Sequence, residues 1–237
     1  MPKAIVIGAS SGIGKALAHL LASDGYQVGI TGRRLDLLEA IRKTSPDRFI
    51  VRSFDCTLDN NLSELEALVE ELGGLDLLMV SAGTGDLNET LDASIENKTN
   101  LLNVAAFTQI VGWAYNHFQS QKKGHLIAIS SIAGFRGNKM APAYGASKAY
   151  QINYLEGLRQ KAHSEGGHVL ITDIRPGFVD TDMAKGPGQF WVASPEKAAR
   201  QIYRHIRNKR KVAYVTNRWR LFALLMKWMP RGLYKRF

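Results

Sequence analysis

Cysteine is almost missing from this 237-residue chain, since Cys56 is the only one. A single cysteine excludes an intrachain disulfide and a zinc site built from several thiolates, and we expect no metal centre. Such cysteine usage is typical of a reducing compartment. We therefore predict a cytoplasmic protein, and the apolar start at residues 3–8 leaves no room for a signal peptide.

Long hydrophobic runs are missing as well. The most apolar window, residues 221–229, contains Lys227 and is followed directly by Pro230. It is far shorter than the ~20 apolar residues that a transmembrane helix needs. We predict no membrane span.

Acidic residues are absent from the last 41 positions, which contain 13 Lys or Arg and no Asp or Glu. The preceding part of the chain has 18 Lys or Arg against 21 Asp or Glu, a formal charge of −3. A charge confined to one end is a poor match to an enzyme that binds nucleic acid along a basic face. The length and the 45% of apolar residues suit one domain over residues 1–217, with residues 218–237 as a basic amphipathic extension of it.

Short runs rich in Val and Ile alternate with longer segments of helical period, which is typical of βαβ units around a buried parallel sheet. The predicted strands are residues 4–7, 27–31, 49–54, 76–80, 126–130, 169–174 and 212–215. The predicted helices are residues 13–23, 35–43, 62–72, 95–119, 144–162 and 195–208. We predict an α/β fold: a single doubly wound, Rossmann-like domain with a mostly parallel seven-stranded sheet and helices on both faces.

Three glycines, Gly8, Gly12 and Gly14, follow the first predicted strand and open the first predicted helix. The N–H groups of such a turn and of the helix N-terminus can surround a pyrophosphate. The predicted phosphate-binding residues are Gly8, Ser10, Ser11, Gly12, Ile13 and Gly14. The alternative is a tight turn that binds no ligand.

The segment after the second predicted strand contains Arg33 and Arg34 and no acid at the place where an acid binds the adenosine 2′-hydroxyl of NAD. Planar guanidinium groups suit a 2′-phosphate, which favours NADP(H) over NAD(H). Two alternatives stay open. Both arginines could be solvated residues at a helix start, and Asp36 could turn back toward the ribose.

Tyr144 and Lys148 are four residues apart at the start of a predicted helix, so both project from one face. A phenol has an ordinary pKa of about 10, and an adjacent ammonium lowers that pKa by stabilising the phenolate. The pair could therefore exchange a proton with a ligand. Taken alone, the same spacing also fits a packed tyrosine beside a solvated lysine.

Four motifs occur in order, each at a predicted strand end or helix start. They are the loop from Gly8 to Gly14, the pair Ser130-Ser131, the run from Tyr144 to Lys148, and Arg175-Pro176-Gly177. Together, over residues 3–215, they resemble the short-chain dehydrogenase/reductase family. The resemblance implies an enzyme that transfers a hydride between NADP(H) and a carbonyl or alcohol substrate, with residues 1–217 as its dinucleotide-binding and catalytic domain.

The resemblance also implies a role for each matching residue. Tyr144 would be the general acid/base, Lys148 would lower its pKa and bind the nicotinamide ribose, and Ser131 would hold the substrate oxygen. Asn103, preferred over Asn100, would anchor a water in the proton relay. Further cofactor contacts are implied for Asp55 and Cys56 at the adenine, Ala82 and Gly83 beside the ribose, Thr181 at the carboxamide, and Pro176, Gly177 and Val179.

One position departs from the family pattern: Ser81 stands where the family has an asparagine before Ala-Gly. We expect this change to affect a local hydrogen bond in the sheet. Two rival functions remain. The intact Ser131, Tyr144 and Lys148 argue against a non-catalytic NADP-binding sensor or scaffold protein, and the basic pair after the second strand argues against a methyltransferase with an adenosyl cofactor.

Substrate contacts are expected from residues 84–87, 135–141 and 183–194, a mostly apolar set that includes Phe190 and Trp191. It suits a hydrophobic ketone or secondary alcohol, and residues 185–189 read as a loop over the site. The resemblance implies a homodimer or homotetramer that pairs through helices 95–119 and 144–162.

The tail at 218–237 mixes aromatic and basic residues, as an interfacial helix on anionic lipid does, for instance at the inner face of a membrane. We favour the alternative that its apolar face covers the substrate opening or a second subunit.

Overall fold

The computed structural model describes residues 1–183 and 188–234. The strands are β1 (Lys3–Ile7), β2 (Gln27–Gly32), β3 (Phe49–Ser53), β4 (Leu77–Val80), β5 (Gly124–Ile129), β6 (Val169–Pro176) and β7 (Val212–Val215). The helices are α1 (Gly12–Ser23), α2 (Leu35–Arg42), α3 (Asn61–Leu72), α4 (Ala93–Asn100), α5 (Phe107–Ser120), α6 (Pro142–Ser164), α7 (Pro195–Arg207), α8 (Arg218–Trp228) and α9 (Arg231–Tyr234). Residues 185–187 of the predicted loop and 235–237 of the tail lie outside the described residues.

The strands form one sheet in the order β3-β2-β1-β4-β5-β6-β7, and every neighbouring pair is parallel. The predicted doubly wound, seven-stranded sheet is confirmed. The strand and helix bounds differ from the prediction by no more than two residues. The predicted helix 95–119 differs in another way, because a π-helical turn at Leu101–Ala106 separates α4 from α5.

Alternate residues of each strand point to opposite faces of the sheet, so the protein has two cores. On β1, Ala4 and Val6 pack with Leu17 of α1 on one face. Ile5 and Ile7 pack on the other face, in the cluster that contains residues of α3, α5 and α6. Burying a leucine or isoleucine contributes about 1.5–3 kcal/mol, which explains why the strands are almost entirely apolar.

The strand order reverses between β1 and β4, because the chain runs outward from β1 to β3 and then returns to pair β4 with the other side of β1. Loops that leave such a point diverge and open a crevice at the carboxyl ends of the strands. At its base the two backbones nearly touch: a Cβ on Gly8 would lie 2.6 Å from the Ala82 amide nitrogen. Gly8 also has a φ of +83°, so only glycine fits there.

None of the helices in the described ranges combines the length and the apolar character that crossing a bilayer requires.

Candidate active site

A cleft of about 800 Å³ opens at the carboxyl edge of the sheet, between the loops that follow β1 to β6 and the C-terminal helices α8 and α9. It is lined by most of the predicted site residues: Gly8, Ser10, Ser11, Gly12, Ile13, Arg33, Arg34, Asp55, Cys56, Ala82, Gly83, Ser131, Tyr144, Lys148, Pro176, Gly177, Val179 and Thr181. Asn103 and Gly14 are not part of this lining. Asp36, the residue that could have reversed the cofactor assignment, is exposed on the first turn of α2 and does not line the cleft.

Gly14 contributes by allowing close packing. A Cβ at this position would lie 2.2 Å from the Gly8 carbonyl oxygen, so any larger residue would push α1 away from the loop after β1. The N-terminus of α1 is thereby held against the glycine loop. The loop and the helix together present the N–H groups that suit a phosphate.

Arg34 lies over the glycine loop. Its Nη2 donates to Ser10 Oγ at 2.9 Å and to Ser11 Oγ at 2.7 Å, and its Nη1 is 3.7 Å from Asp182 Oδ2. The side chain remains half exposed to solvent, so its charge is available to a ligand. One guanidinium and two hydroxyls therefore converge at the end of the cleft where β1 and β2 finish.

Arg33 points toward the predicted adenine side, with Nη1 3.8 Å from Asp55 Oδ2. Asp55 Oδ1 accepts hydrogen bonds from the Thr57 amide and hydroxyl, which fixes the turn after β3. Burial raises the pKa of the neighbouring Cys56 thiol to about 12, with a smaller contribution from the Asp55 carboxylate. Cys56 is therefore a neutral apolar group of the cleft wall and is unsuited to act as a nucleophile.

Tyr144 and Ser131 both line the cleft, and Ser131 Oγ accepts a hydrogen bond from the Ala133 amide at 3.1 Å. Burial raises the pKa of Tyr144, and the nearby Ser131 hydroxyl only partly offsets this rise. The expected net lowering of the Tyr144 pKa by Lys148 is therefore not seen. The physical reason is that loss of water around the phenolate outweighs the other effects.

Lys148 is buried beneath Tyr144, with only 3% of its surface exposed and Nζ 5.8 Å from the centre of the phenol ring. Nζ donates to the carbonyl oxygen of Ile129 at 3.0 Å and to Gln151 Oε1 at 2.9 Å. Burial lowers the pKa of Lys148 to about 8, and the Asp173 carboxylate acts in the opposite direction. The predicted pair therefore lies together at the start of α6, with Lys148 buried and Tyr144 half-buried.

Asn103 is fully buried in the π-helical turn, whereas Asn100 is exposed. The Asn103 side chain accepts a hydrogen bond from the Thr84 amide at 2.9 Å. It donates to the Thr84 carbonyl oxygen at 2.7 Å and to Ser147 Oγ at 3.0 Å. This amide therefore holds the loop after β4 against α6. Its backbone carbonyl accepts a hydrogen bond from Gln151 Nε2 at 2.9 Å.

The three segments expected to contact substrate all reach the cleft. The lining includes Thr84, Gly85, Asp86, Leu87, Phe135, Arg136, Asn138, Ala141, Met183 and Phe190. Trp191 is not part of that lining, and its ring packs on Phe190 and Trp219.

Helix α8 closes one side of the cleft. Phe222, Ala223 and Met226 line it, and Trp219 anchors the helix in a cluster with Phe178 and Phe190. These contacts place the inner face of the tail over the opening of its own domain.

Arg136 fastens the far end of α8. Its Nε donates to the carbonyl oxygen of Met226 at 2.7 Å, and its Nη2 donates to those of Lys227 and Met229. The last carbonyls of a helix lack partners within the helix, so a guanidinium is well suited to bind them. The sequence predicted neither this contact nor the hydrogen bonds of Gln151 with Lys148 and Asn103. For Gln151 the available signal was a polar residue on the buried face of a predicted helix.

The geometry can be compared with known proteins. The family model described as short chain dehydrogenase matches residues 2–189. An uncharacterized oxidoreductase of Myxococcus xanthus (strain DK1622) is 36% identical over 190 residues, which cover 76% of this chain and 73% of the relative. The chain therefore belongs to the short-chain dehydrogenase family, and it is an oxidoreductase of that family.

Solved structures share the fold. A short-chain dehydrogenase from Sphingobium yanoikuyae in complex with NADPH has a TM-score of 0.82 at 21% identity, over 98% of this chain and 97% of that one. A bulky-bulky ketone specific alcohol dehydrogenase from Comamonas testosteroni has a TM-score of 0.78 at 23% identity, over 98% of this chain and 96% of that one. At these identities the likeness establishes the fold alone.

Proposed function

We propose that the chain is an NADP(H)-dependent oxidoreductase that acts on a hydrophobic ketone or secondary alcohol. The observation that carries this proposal is the convergence of Ser131, Tyr144 and Lys148 in the cleft that also contains the glycine loop. When bound, a nicotinamide supplies or accepts the hydride. The chain must then hold the substrate oxygen and move one proton.

The pKa directions suit the reductive reaction. Because the pKa of Tyr144 is raised, its phenol is protonated at neutral pH and can give a proton to a carbonyl oxygen. Ser131, which lines the same cleft and acts on the pKa of the phenol, would hold the same oxygen. With a pKa of about 8, Lys148 is mostly an ammonium at neutral pH, and its positive charge stabilises the phenolate that forms as the proton leaves.

The choice of NADP(H) rests on the group of Ser10, Ser11 and Arg34 beside the cleft. A guanidinium fork and two hydroxyls match a phosphate monoester. The Sphingobium relative, a structural neighbour, was solved with NADPH, which agrees with this choice.

The substrate class follows from the apolar wall formed by Phe190, Phe222 and Met226. Such a wall favours a bulky apolar group next to the carbonyl. The Comamonas neighbour is named for bulky ketones, in line with this expectation. A non-catalytic NADP sensor is the alternative, and the complete proton-transfer group argues against it. Pairing of subunits through the α4–α5 and α6 helices, and a cytoplasmic location, stay predictions.

The outer face of α8 supports peripheral contact with an anionic lipid surface. Leu221, Leu224, Leu225 and Trp228 form an apolar outer ridge at helical spacing, and Leu221 and Trp228 are 73% and 79% exposed. Arg220 and Lys227 lie beside the ridge, and no acid occurs after Glu196. A lipid surface would satisfy both the apolar side chains and the cations, whereas a second copy of α8 would bring cations against cations.

Replacing the phenol hydroxyl tests the proton transfer. Tyr144→Phe should lower turnover by about 10²–10⁴-fold, since proton transfer by a positioned group contributes this much. The Kd for NADPH, measured by nucleotide fluorescence, should stay unchanged because the hydroxyl is aimed at the substrate. Tyr150→Phe, on the exposed side of α6, is the matched control. Near-normal turnover of Tyr144→Phe would refute the assignment.

Removing the guanidinium tests the cofactor choice. Arg34→Ala should weaken NADPH binding by about 10- to 100-fold, the scale of a charge-assisted hydrogen bond, and leave NADH binding unchanged. Isothermal titration with both nucleotides measures the two constants. Arg42→Ala, at the last residue of the helix that Arg34 precedes and outside the cleft lining, should alter neither. Equal losses for NADPH and NADH would contradict a 2′-phosphate contact.

Vesicle flotation tests the outer ridge. The full chain should float with mixed vesicles of phosphatidylglycerol and phosphatidylcholine but not with vesicles of pure phosphatidylcholine. The double variant Leu225→Glu/Trp228→Glu should no longer float. Leu58→Glu, at an exposed leucine outside α8, is the control for an added charge. If flotation never occurs and the double variant instead dissociates an oligomer in sedimentation velocity, the ridge is a subunit interface and the lipid proposal is wrong.

A further inference from the structure

Gln151 connects two parts of the site that are far apart in sequence. It lies one turn after Lys148 on α6 and is 1% exposed. Its Oε1 accepts a hydrogen bond from Lys148 Nζ at 2.9 Å, while its Nε2 donates to the carbonyl oxygen of Asn103 at 2.9 Å. A buried amide costs free energy unless both of its ends are bonded, and here both ends are.

The carbonyl of Asn103 can take part because the helix is irregular there. In a regular α-helix this carbonyl would accept from the Phe107 amide, four residues later. In the π-helical turn the Phe107 amide bonds to the carbonyls of Leu102 and Val104 instead. The Asn103 carbonyl therefore does not accept from the Phe107 amide, and it accepts from Gln151 Nε2.

The position of the Lys148 ammonium is set by these contacts. Two of its three N–H groups have partners within the described ranges, the Ile129 carbonyl and the Gln151 amide. Lys148 also lines the cleft beside Gly83, where a Cβ would lie 3.6 Å from Nζ. The third N–H is thereby left for a group bound in the cleft. The ionisable groups that face it are Tyr144 on its own helix and Asp173 on β6.

We propose that Gln151 is a positioning residue, which fixes and stabilises the Lys148 ammonium by tying it to the backbone of the π-helical turn. This proposal rests on the proposed function, because the ammonium matters for catalysis only if Tyr144 transfers a proton. It assigns to the side chain at 151 a role beyond filling the space between α6 and α5.

Two variants of nearly equal size test the proposal in opposite directions. In Gln151→Leu the ammonium loses an acceptor, so the pKa of Lys148 should fall by about 1 unit below its wild-type value. In Gln151→Glu a carboxylate faces the ammonium, so the pKa of Lys148 should rise instead. Gln160→Leu, an exposed position on the same helix, should leave it unchanged.

The pKa can be read directly from the ¹³Cε shift of labelled lysines in the full chain as pH is varied, with Lys148 assigned by its loss in Lys148→Met. In turnover the alkaline limb should move to lower pH in Gln151→Leu, because the ammonium is then lost at lower pH, and to higher pH in Gln151→Glu. The Kd for NADPH should rise in Gln151→Leu, because the third N–H of Lys148 would no longer be held toward the cleft.

Opposite shifts of the Lys148 pKa in the two variants support the proposal. A purely structural role would change stability and leave that pKa in place, and this outcome, or shifts in the same direction, would overturn it. If Gln151→Leu does not fold, the direction of the shift in Gln151→Glu decides. If no carbonyl consumes NADPH, the proposed function fails, whereas the titration of Lys148 still decides the role of Gln151.

Discussion

A protonated lysine buried at the edge of an apolar sheet is the constraint on which the site depends. Removing an ammonium from water costs several kcal/mol unless hydrogen bonds and charge compensate for it. In this protein the Lys148 ammonium is compensated by the Ile129 carbonyl at the end of β5, by Gln151, and at longer range by Asp173. These groups lie on β5, α6 and β6, and Gln151 is in turn bonded to the π-helical turn. All four elements must therefore be in place for the lysine to remain charged.

The sheet supplies the second constraint. Because all seven strands are parallel, their carboxyl ends lie at one edge, and the reversal of order between β1 and β4 opens the crevice there. Close backbone contacts keep the crevice narrow: Gly8 meets Ala82 across it, and Gly14 holds α1 on the loop. The cleft of about 800 Å³ and the group of Ser131, Tyr144 and Lys148 therefore lie at the same edge for topological reasons.

Sequence patterns predicted the elements and the core of the site because those features are local. The period of apolar residues gave the outer bounds of all seven strands and of the six predicted helices to within two residues. The positions of Ser131, Tyr144 and Lys148 at strand ends and a helix start placed them together. The position of Arg33 and Arg34 in the cleft lining could also be predicted, because both residues directly follow β2.

Other features depend on contacts between distant segments and could not be read in this way. The π-helical turn has no periodicity signal of its own, and the partners of Gln151 and Arg136 lie 48 and about 90 residues away. The direction of the Tyr144 pKa also escaped prediction, because local spacing pointed to the neighbouring lysine, whereas burial by the whole fold sets the direction. The sequence left two interpretations of helix α8 open, and the structure shows that its inner face lines the cleft while its outer face is exposed.

The most direct test of this account is a crystal structure of the full chain grown with NADPH. The account predicts the pyrophosphate on the loop from Gly8 to Gly14, the 2′-phosphate beside Arg34, and the nicotinamide ribose within hydrogen-bonding distance of Lys148 Nζ. A nucleotide bound elsewhere on the surface, or a Lys148 ammonium turned away from both Tyr144 and the ribose, would contradict it.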